Sequence, residues 1–224
     1  MKNIPRKFSI FFFTWLFIPF HASTSDSNFE NKRVILKGEI SKSSITQVSQ
    51  NVELHPDLNE LELRDSIGTR GFAGLAVDDI ENRFRTKHLK TFARGECAST
   101  CAYIFLLGET KTFLPSLSNS PTHIMIHAFR HNQTREVDYG LTDANFKRIV
   151  KNSRGKFPIK LLEKIYDDIN ANGDGELYIF RDIFTTKRGK SHALVCKNSK
   201  FENLNECEPI IGVTPQRLGI LIAQ

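Results

Sequence analysis

Between Gly95 and Gly108 the chain reads GECASTCAYIFLLG, and this segment narrows the choice of fold more than any other. A strand ends at a glycine, a short polar turn holds Ser99, and an apolar helix begins at once over Ala102–Leu107. Strand, tight turn and apolar helix with no loop between them are a recurring join in layered α/β proteins. The rest of the chain follows the same rhythm. Arg33–Ile40 (RVILKGEI) has the content of a buried strand closed by a glycine, and Ser44–Leu54 has helical spacing with serine at its start. Leu61–Leu63 reads as a short strand and Asp65–Gly74 as a turn rich in small residues. Apolar positions 75, 76, 77, 80 and 84 make a helical face, and Lys90–Ala93 and Thr122–His127 read as strands. Phe157–Ile169 reads as a helix, followed by the glycine turn NANGDGE and the apolar run LYIF. No internal repeat is visible. The expected class is α/β with right-handed crossovers.

Composition excludes several alternatives. With 13 Gly and 8 Pro in 224 residues, the chain is neither collagen-like nor of low complexity, and 4 Cys are too few for a disulfide-dense miniprotein. The length suffices for one sizeable domain with a real core.

Residues 1–22 have the plan of a secretory signal peptide. Lys2, Arg6 and Lys7 precede an apolar run of 13 residues (FSIFFFTWLFIPF), and the small residues Ala22 and Ser23 follow. That run is short of the roughly 20 residues that span a bilayer as a helix. Cleavage there removes three positive charges and no acid, taking the formal charge from +6 to +3. The expected location is outside the cytoplasm, periplasmic or secreted. The remaining basic residues are scattered among acids with no aromatic platform beside them, so nucleic acid is not an expected partner. Export also favours oxidised cysteines in pairs. Cys196 and Cys207 enclose the polar stretch KNSKFENLNE, and closing that loop would constrain the unfolded chain by about 3 kcal/mol. Cys97 and Cys101 are four residues apart. On a helix their Cα atoms would be about 6 Å apart, at the long end of disulfide geometry. No second close pair of Cys or His accompanies them, and no metal is expected.

Ser99 admits two readings. At a helix start it could cap Ala102–Leu107. Alternatively, it could act as a nucleophile beside unpaired N–H groups able to hold an oxyanion. Two further segments bear on the choice. Ser66-Ile67-Gly68-Thr69 forms a tight turn before a helix and could present backbone amides. His127 ends the apolar strand of Ile124, Met125 and Ile126, where it could be a general base or a histidine hydrogen-bonded within the core.

In this order and spacing the three segments resemble the Clp protease proteolytic subunit branch of the ClpP/crotonase superfamily. Leu61–Val77 is similar to the family's strand, Ser-Pro-Gly-Gly turn and helix, with Ser66, Gly68, Ala73 and Gly74 in register. Gly95–Gly108 resembles its nucleophile segment without a gap, and Ile124–His127 resembles its Val-Met-Ile-His strand. Val34–Ile40 suits its first strand, so the likeness spans roughly 34 to 129. The cysteines around the serine are similar to those of exported members. The resemblance implies a ClpP/crotonase-like spiral of ββα units. It also implies Ser99 as nucleophile, His127 as base, and an oxyanion hole formed by the amides of Thr69 and Thr100. Relatives of this kind often assemble into rings, which implies association of like chains. Two positions depart from the pattern: Ile67 stands for the family's proline and Thr69 for its second turn glycine.

The third member of a triad is expected at Asp182, in RDIFTT, with Asp174, Glu176, Glu206 and Glu208 as alternatives. The segment NANGDGEL has the alternation of half a calcium loop, but the twelfth position would be Arg181, or Ile179 if the loop began at Asp168. A polar turn is the better reading. The sequon Asn132-Gln133-Thr134 would matter only in a eukaryotic secretory pathway. The expected organisation is a leader (1–22), a polar linker (23–32), an α/β domain (33–189) and a small disulfide-bearing C-terminal extension (190–224). The expected function is an exported serine hydrolase acting on a peptide or protein, with no cofactor and no ATPase partner. The rival is a catalytically inert ClpP-like binding or assembly module. If Cys97 and Cys101 are bridged, the bond would fix the turn that carries Ser99.

Overall fold

The computed structural model describes residues 29–30, 33–131, 133–134, 136–166, 175–197 and 201–224. The expected leader, most of the linker, Asn132, Asp168 and the 170–174 half of the glycine turn, Asp174 included, lie outside these residues. Within them the elements are β1 (Phe29–Glu30), β2 (Arg33–Glu39), α1 (Lys42–Leu54), β3 (Glu60–Gly68), α2 (Ala73–Phe84), β4 (Lys90–Ala98), α3 (Thr100–Leu107) and β5 (Thr110–Phe113). They continue with β6 (His123–His127), α4 (Tyr139–Asn152), α5 (Ile159–Leu162), β7 (Gly175–Thr186), β8 (Gly189–Lys197), β9 (Glu208–Pro209) and β10 (Ile220–Ile222). The fold is mixed α/β, and no helix among the described residues is long and apolar enough to cross a membrane.

The main sheet runs in the order β1-β2-β3-β4-β6-β7-β8-β9. Strands β2, β3, β4 and β6 are parallel, while β7, β8 and β9 continue antiparallel. At β4 the sheet divides. Lys90–Ala93 pair with β5, whereas Glu96–Ala98 pair with β6. Alternation sends Val34, Leu36, Leu61, Leu63, Ala93, Cys97, Ile124, Ile126, Leu177 and Ile179 into the main core. The helices close over that face. All eight residues of α3 are buried, which an unbroken apolar stretch requires. The opposite face of β2–β4 is tied by ion pairs. Burial would raise the Glu62 carboxyl, but hydrogen bonds from Arg94, Arg33 and Arg64 prevail and hold it below its ordinary range.

Both central strands run further than local composition suggests. The small-residue turn expected from Asp65 is strand as far as Gly68, and β4 continues through Gly95 to Ala98. Each strand carries a bulge there, and the two bulges fill one another. Gly95 takes φ +69, and a Cβ on it would lie 1.9 Å from Asp65 Oδ1. Helix α1 starts two residues earlier than its spacing predicts, because Ser41 and Ser44 form a reciprocal capping box. Of the helix expected over 157–169, the described residues form a single turn of α5 entered from Pro158 and a 3₁₀ turn over Glu163–Ile165, and residues 167–169 lie outside them. Among the described residues of 190–224, stretches in β8, β9 and β10 belong to the sheet. The boundary at 189 falls inside the β7–β8 hairpin, and β10 pairs in parallel with β5. Cys196 and Cys207 are bonded, with Cα atoms 4.6 Å apart, and lie within a second small core with Tyr178, Phe180, Leu194 and Leu204.

His123 opens β6 at 1% exposure, between the rings of Tyr178 and Phe180. Its Nδ1–H donates to the carbonyl of Pro121 at 2.9 Å. Burial pushes its imidazole from 6.5 down to about 4. The unfolded chain therefore takes up this proton first as pH falls. The stabilisation is complete above pH 6.5 and is lost as pH drops through 4, amounting to about 3 kcal/mol by that point. Chemical denaturation between pH 7 and 4 should show that loss, and His123→Gln should flatten it. Parallel profiles for the two proteins would contradict the assignment.

Candidate active site

Because β3, β4 and β6 are adjacent and parallel, their carboxyl ends fall on one edge of the sheet, beside the point where it divides. Open α/β sheets bind ligands at such edges. Gly68, Ser99 and His127 each stand at one of these strand ends or directly after it.

Ser99 joins β4 to α3 with φ 57 and ψ −126, a left-handed backbone that a side chain rarely accepts. Its side chain makes no capping hydrogen bond to α3. Instead Oγ lies 2.8 Å from His127 Nε2. The conformation is held from several directions. Ser99 N–H donates to the Met125 carbonyl at 2.8 Å, and the Ser99 carbonyl accepts from Tyr103 N–H at 3.2 Å. Cys97 and Cys101 are bonded across the turn, with Cα atoms 5.2 Å apart. That separation is shorter than helical spacing predicts, because Cys97 is the strand's residue and only Cys101 belongs to the helix.

His127 Nδ1 lies 2.7 Å from the Ala128 carbonyl oxygen. A carbonyl only accepts, so Nδ1 carries the hydrogen in the neutral ring. Nε2 is then left with a lone pair toward the serine hydroxyl, as a general base requires.

The first N–H groups of α3, beginning with Thr100, have no intrahelical acceptor. Gly68 packs directly on them, at φ +86, and a Cβ there would lie 2.9 Å from Thr100 N. The left-handed position of this turn is thus Gly68, and Thr69 is not among the residues with positive φ. A side chain at 69 therefore costs no backbone strain, and Thr69 forms part of the cleft wall with Ser99 and His127. The hydroxyls of Thr69 and Thr100 are buried with no hydrogen-bond partner among the described residues.

The expected acid is not brought to the site. On β7, Glu176 is the residue opposite His127, and Phe180 is opposite His123 at the far end of β6. Asp182 lies six positions beyond Glu176, about 20 Å along the strand. It is mostly exposed and paired with Arg181. Glu206 pairs with Lys187 on the surface, and Glu208 stands in β9 beside Val195. Of the described candidates only Glu176 is a cross-strand neighbour of the histidine, and its Oε2 accepts from Tyr178 OH at 3.0 Å.

An open cleft of about 1170 Å³ lies over the Ser99–His127 pair. Its lining includes residues between Thr69 and Leu75, Ala98 and Met125 at the strand ends, and Phe129, His131 and Leu141, the last packed beside Gly74. Glu96 also faces it, and burial together with the Asp65 carboxylate holds its carboxyl above the ordinary range. Sequence reasoning missed Glu96, although it lies within the nucleophile segment, and the loop after His127. The carbonyls of Met125 and Ala128 leave no sequence signal. Among the described residues no group of three or more His, Cys, Asp or Glu could hold a metal ion.

No protein-family model matches the chain, and no curated protein matches it. Among solved structures it is similar to a point mutant of ClpP1 from Listeria monocytogenes. The likeness has 20% identity and a TM-score of 0.47, over 59% of this chain and 77% of that one.

Two glycines separate steric contact from backbone strain. Gly38 takes φ +73 with nothing within 4 Å of an added Cβ, whereas Gly68 would also meet Ala98 O at 2.9 Å and Ser99 Cβ at 3.1 Å. Gly38→Ala should lose about 1 kcal/mol of stability in urea unfolding, the usual left-handed penalty. Gly68→Ala should lose about 3 kcal/mol or more, since it adds contacts that only a shift of the Ser99 turn can relieve. Equal losses in the two variants would mean that Gly68 does not brace that turn.

Proposed function

We propose that this chain is an exported serine hydrolase that cleaves peptides by acyl transfer, with a ClpP/crotonase-like arrangement of ββα units. The observation that carries the proposal is the 2.8 Å contact between Ser99 Oγ and His127 Nε2, on a left-handed turn that opens into a cleft. Ser99 Oγ attacks the scissile carbonyl while His127 Nε2 takes its proton. The Nδ1–H bond to Ala128 keeps the imidazole oriented as it becomes charged. Negative charge on the substrate oxygen falls to the backbone amides of Thr69 and Thr100. His127 returns the proton to the leaving amine, and water then resolves the acyl-enzyme by the same steps in reverse. The cleft of about 1170 Å³ over the pair gives a peptide substrate room to approach. Export agrees with the leader-like residues 1–22 and with two bonded cysteine pairs, which oxidising compartments favour. An exported chain meets no cytoplasmic ATPase, so its substrates are small or already unfolded, and like chains would be its natural assembly partners.

A second reading, an inert ClpP-like binding or assembly module, draws on one observation: Nδ1 engages a peptide carbonyl where the family resemblance implies a carboxylate.

A fluorophosphonate probe separates the two. Wild type should be labelled at Ser99, Ser99→Ala not at all, and His127→Ala about a thousandfold more slowly. Label on Ser99→Ala at the wild-type level would remove Ser99 as nucleophile, and a wild type that takes no label would favour the inert module.

The cysteine bridge yields a further expectation. Because Cys97–Cys101 spans the strained turn, reducing it should slow labelling of Ser99. Mass spectrometry would verify the free thiols, and an unchanged rate with the bridge demonstrably open would show that the hydrogen bonds alone hold the turn.

A further inference from the structure

Helix α3 and strand β6 are joined by a contact that neither the serine nor the histidine side chain makes. Tyr103 is one turn along α3 from Ser99, fully enclosed at 2% exposure, and its hydroxyl donates to the backbone carbonyl of His127 at 2.8 Å. The same residue's N–H donates to the Ser99 carbonyl. With the Ser99 Oγ–His127 Nε2 contact, these bonds close a ring through Ser99, Tyr103 and His127. The ring of Tyr103 packs at 4.4 Å from Phe129, two residues beyond the histidine, which fixes the phenol's direction.

A buried phenol needs a hydrogen-bond acceptor, but a helix and a strand offer it many. This one takes the carbonyl of the peptide that links His127 to Ala128. Fixing the plane of that peptide fixes where Ala128 begins, and the Ala128 carbonyl is the acceptor for His127 Nδ1. The phenol thus holds the imidazole at second hand, through the main chain. It also ties the distance between base and nucleophile to the length of one helical turn.

We propose that Tyr103 is a positioning residue that sets the orientation of His127 relative to Ser99. It touches neither substrate nor reacting atoms. Its effect on rate rests on the hydrolase reading, whereas its effect on the imidazole does not.

The test compares wild type, Tyr103→Phe, and a protein with 4-aminophenylalanine at 103, which restores a donor on the same ring. Two quantities are read in each: the rate of fluorophosphonate labelling of Ser99, and the NMR resonance of the His127 Nδ1–H proton. Thermal midpoints monitor folding. Phe146→Leu serves as a packing control, since Phe146 is buried against Tyr103 away from the cleft. Tyr103→Phe should label about tenfold more slowly, the effect of one buried hydrogen bond on a positioned group. Its Nδ1–H resonance should weaken through faster exchange with solvent. The amino variant should recover part of both, and Phe146→Leu should lower the midpoint at the wild-type rate. The proposal is overturned by an unchanged rate in Tyr103→Phe, by a slower rate with an unchanged Nδ1–H resonance, or by an amino variant no better than the phenylalanine one. If wild type takes no label, the hydrolase reading fails and the resonance alone decides. Its loss in Tyr103→Phe supports the clamp, and its persistence overturns it.

Discussion

The left-handed backbone at Ser99 is the constraint on which the site depends. A non-glycine residue in such a conformation costs about 1–3 kcal/mol and persists only where its surroundings enforce it. Here the enforcement is dense: a cysteine bridge across the turn, main-chain bonds to β6 and within α3, and the bare face of Gly68 pressed against it. One conformation has two consequences. The serine hydroxyl is carried away from the helix it precedes and toward His127. The helix start has no side-chain cap from Ser99, and the first N–H groups of a helix lack intrahelical acceptors, which suits a negative ligand atom. On the hydrolase reading, nucleophile and anion site would thus be products of the same backbone choice.

That convergence explains how much of the site was legible in the sequence. Three short segments carried the resemblance, and each ends a parallel strand in the same part of the sheet. Parallel neighbours bring their carboxyl ends together whatever loops intervene, so local motifs were enough to name Gly68, Ser99 and His127. The lengths of β3 and β4 were not legible. DSIG and GEC read as turns by composition, yet they are bulged strands whose glycine is filled by an aspartate about thirty residues away in the chain. Helix α4 is not among the expected elements, although it has its own signals. Asp138 caps Leu141, and Thr142, Asn145, Phe146 and Ile149 form the buried face. The acid failed for another reason. A short string such as RDIFTT does not encode proximity to His127, because strand register, which decides it, depends on long-range pairing.

Net charge is a poor guide for a comparable reason. A formal +6 suggests an outward-facing basic surface, but several of the arginines are engaged inward. Arg33, Arg64 and Arg94 converge on Glu62, which is almost fully buried, and Arg33 also lies 3.5 Å over the ring of Phe92. Breaking such a set exposes an uncompensated buried charge, so it fixes the register of β2, β3 and β4 even if its net stabilisation is small. The strands whose ends build the cleft are therefore aligned on one face by apolar packing and on the other by ions.

Strand β6 shows how one residue type receives two roles. His123 and His127 are four positions apart and project to the same face, and each has Nδ1 against a peptide carbonyl. The bond fixes the tautomer in both. What differs is the surroundings of the ring: His123 is enclosed by Tyr178 and Phe180, while His127, at the strand's carboxyl end, faces the cleft and the serine. In both rings a peptide carbonyl receives Nδ1. What a carboxylate adds is charge, which matters only once the imidazole is protonated. Glu176 stands directly across from His127 in the antiparallel register, where Cβ atoms of facing residues lie about 5 Å apart. On the hydrolase reading, the main chain would supply the orientation that a triad assigns to its acid, and the register makes Glu176 the described carboxylate placed across from the ring.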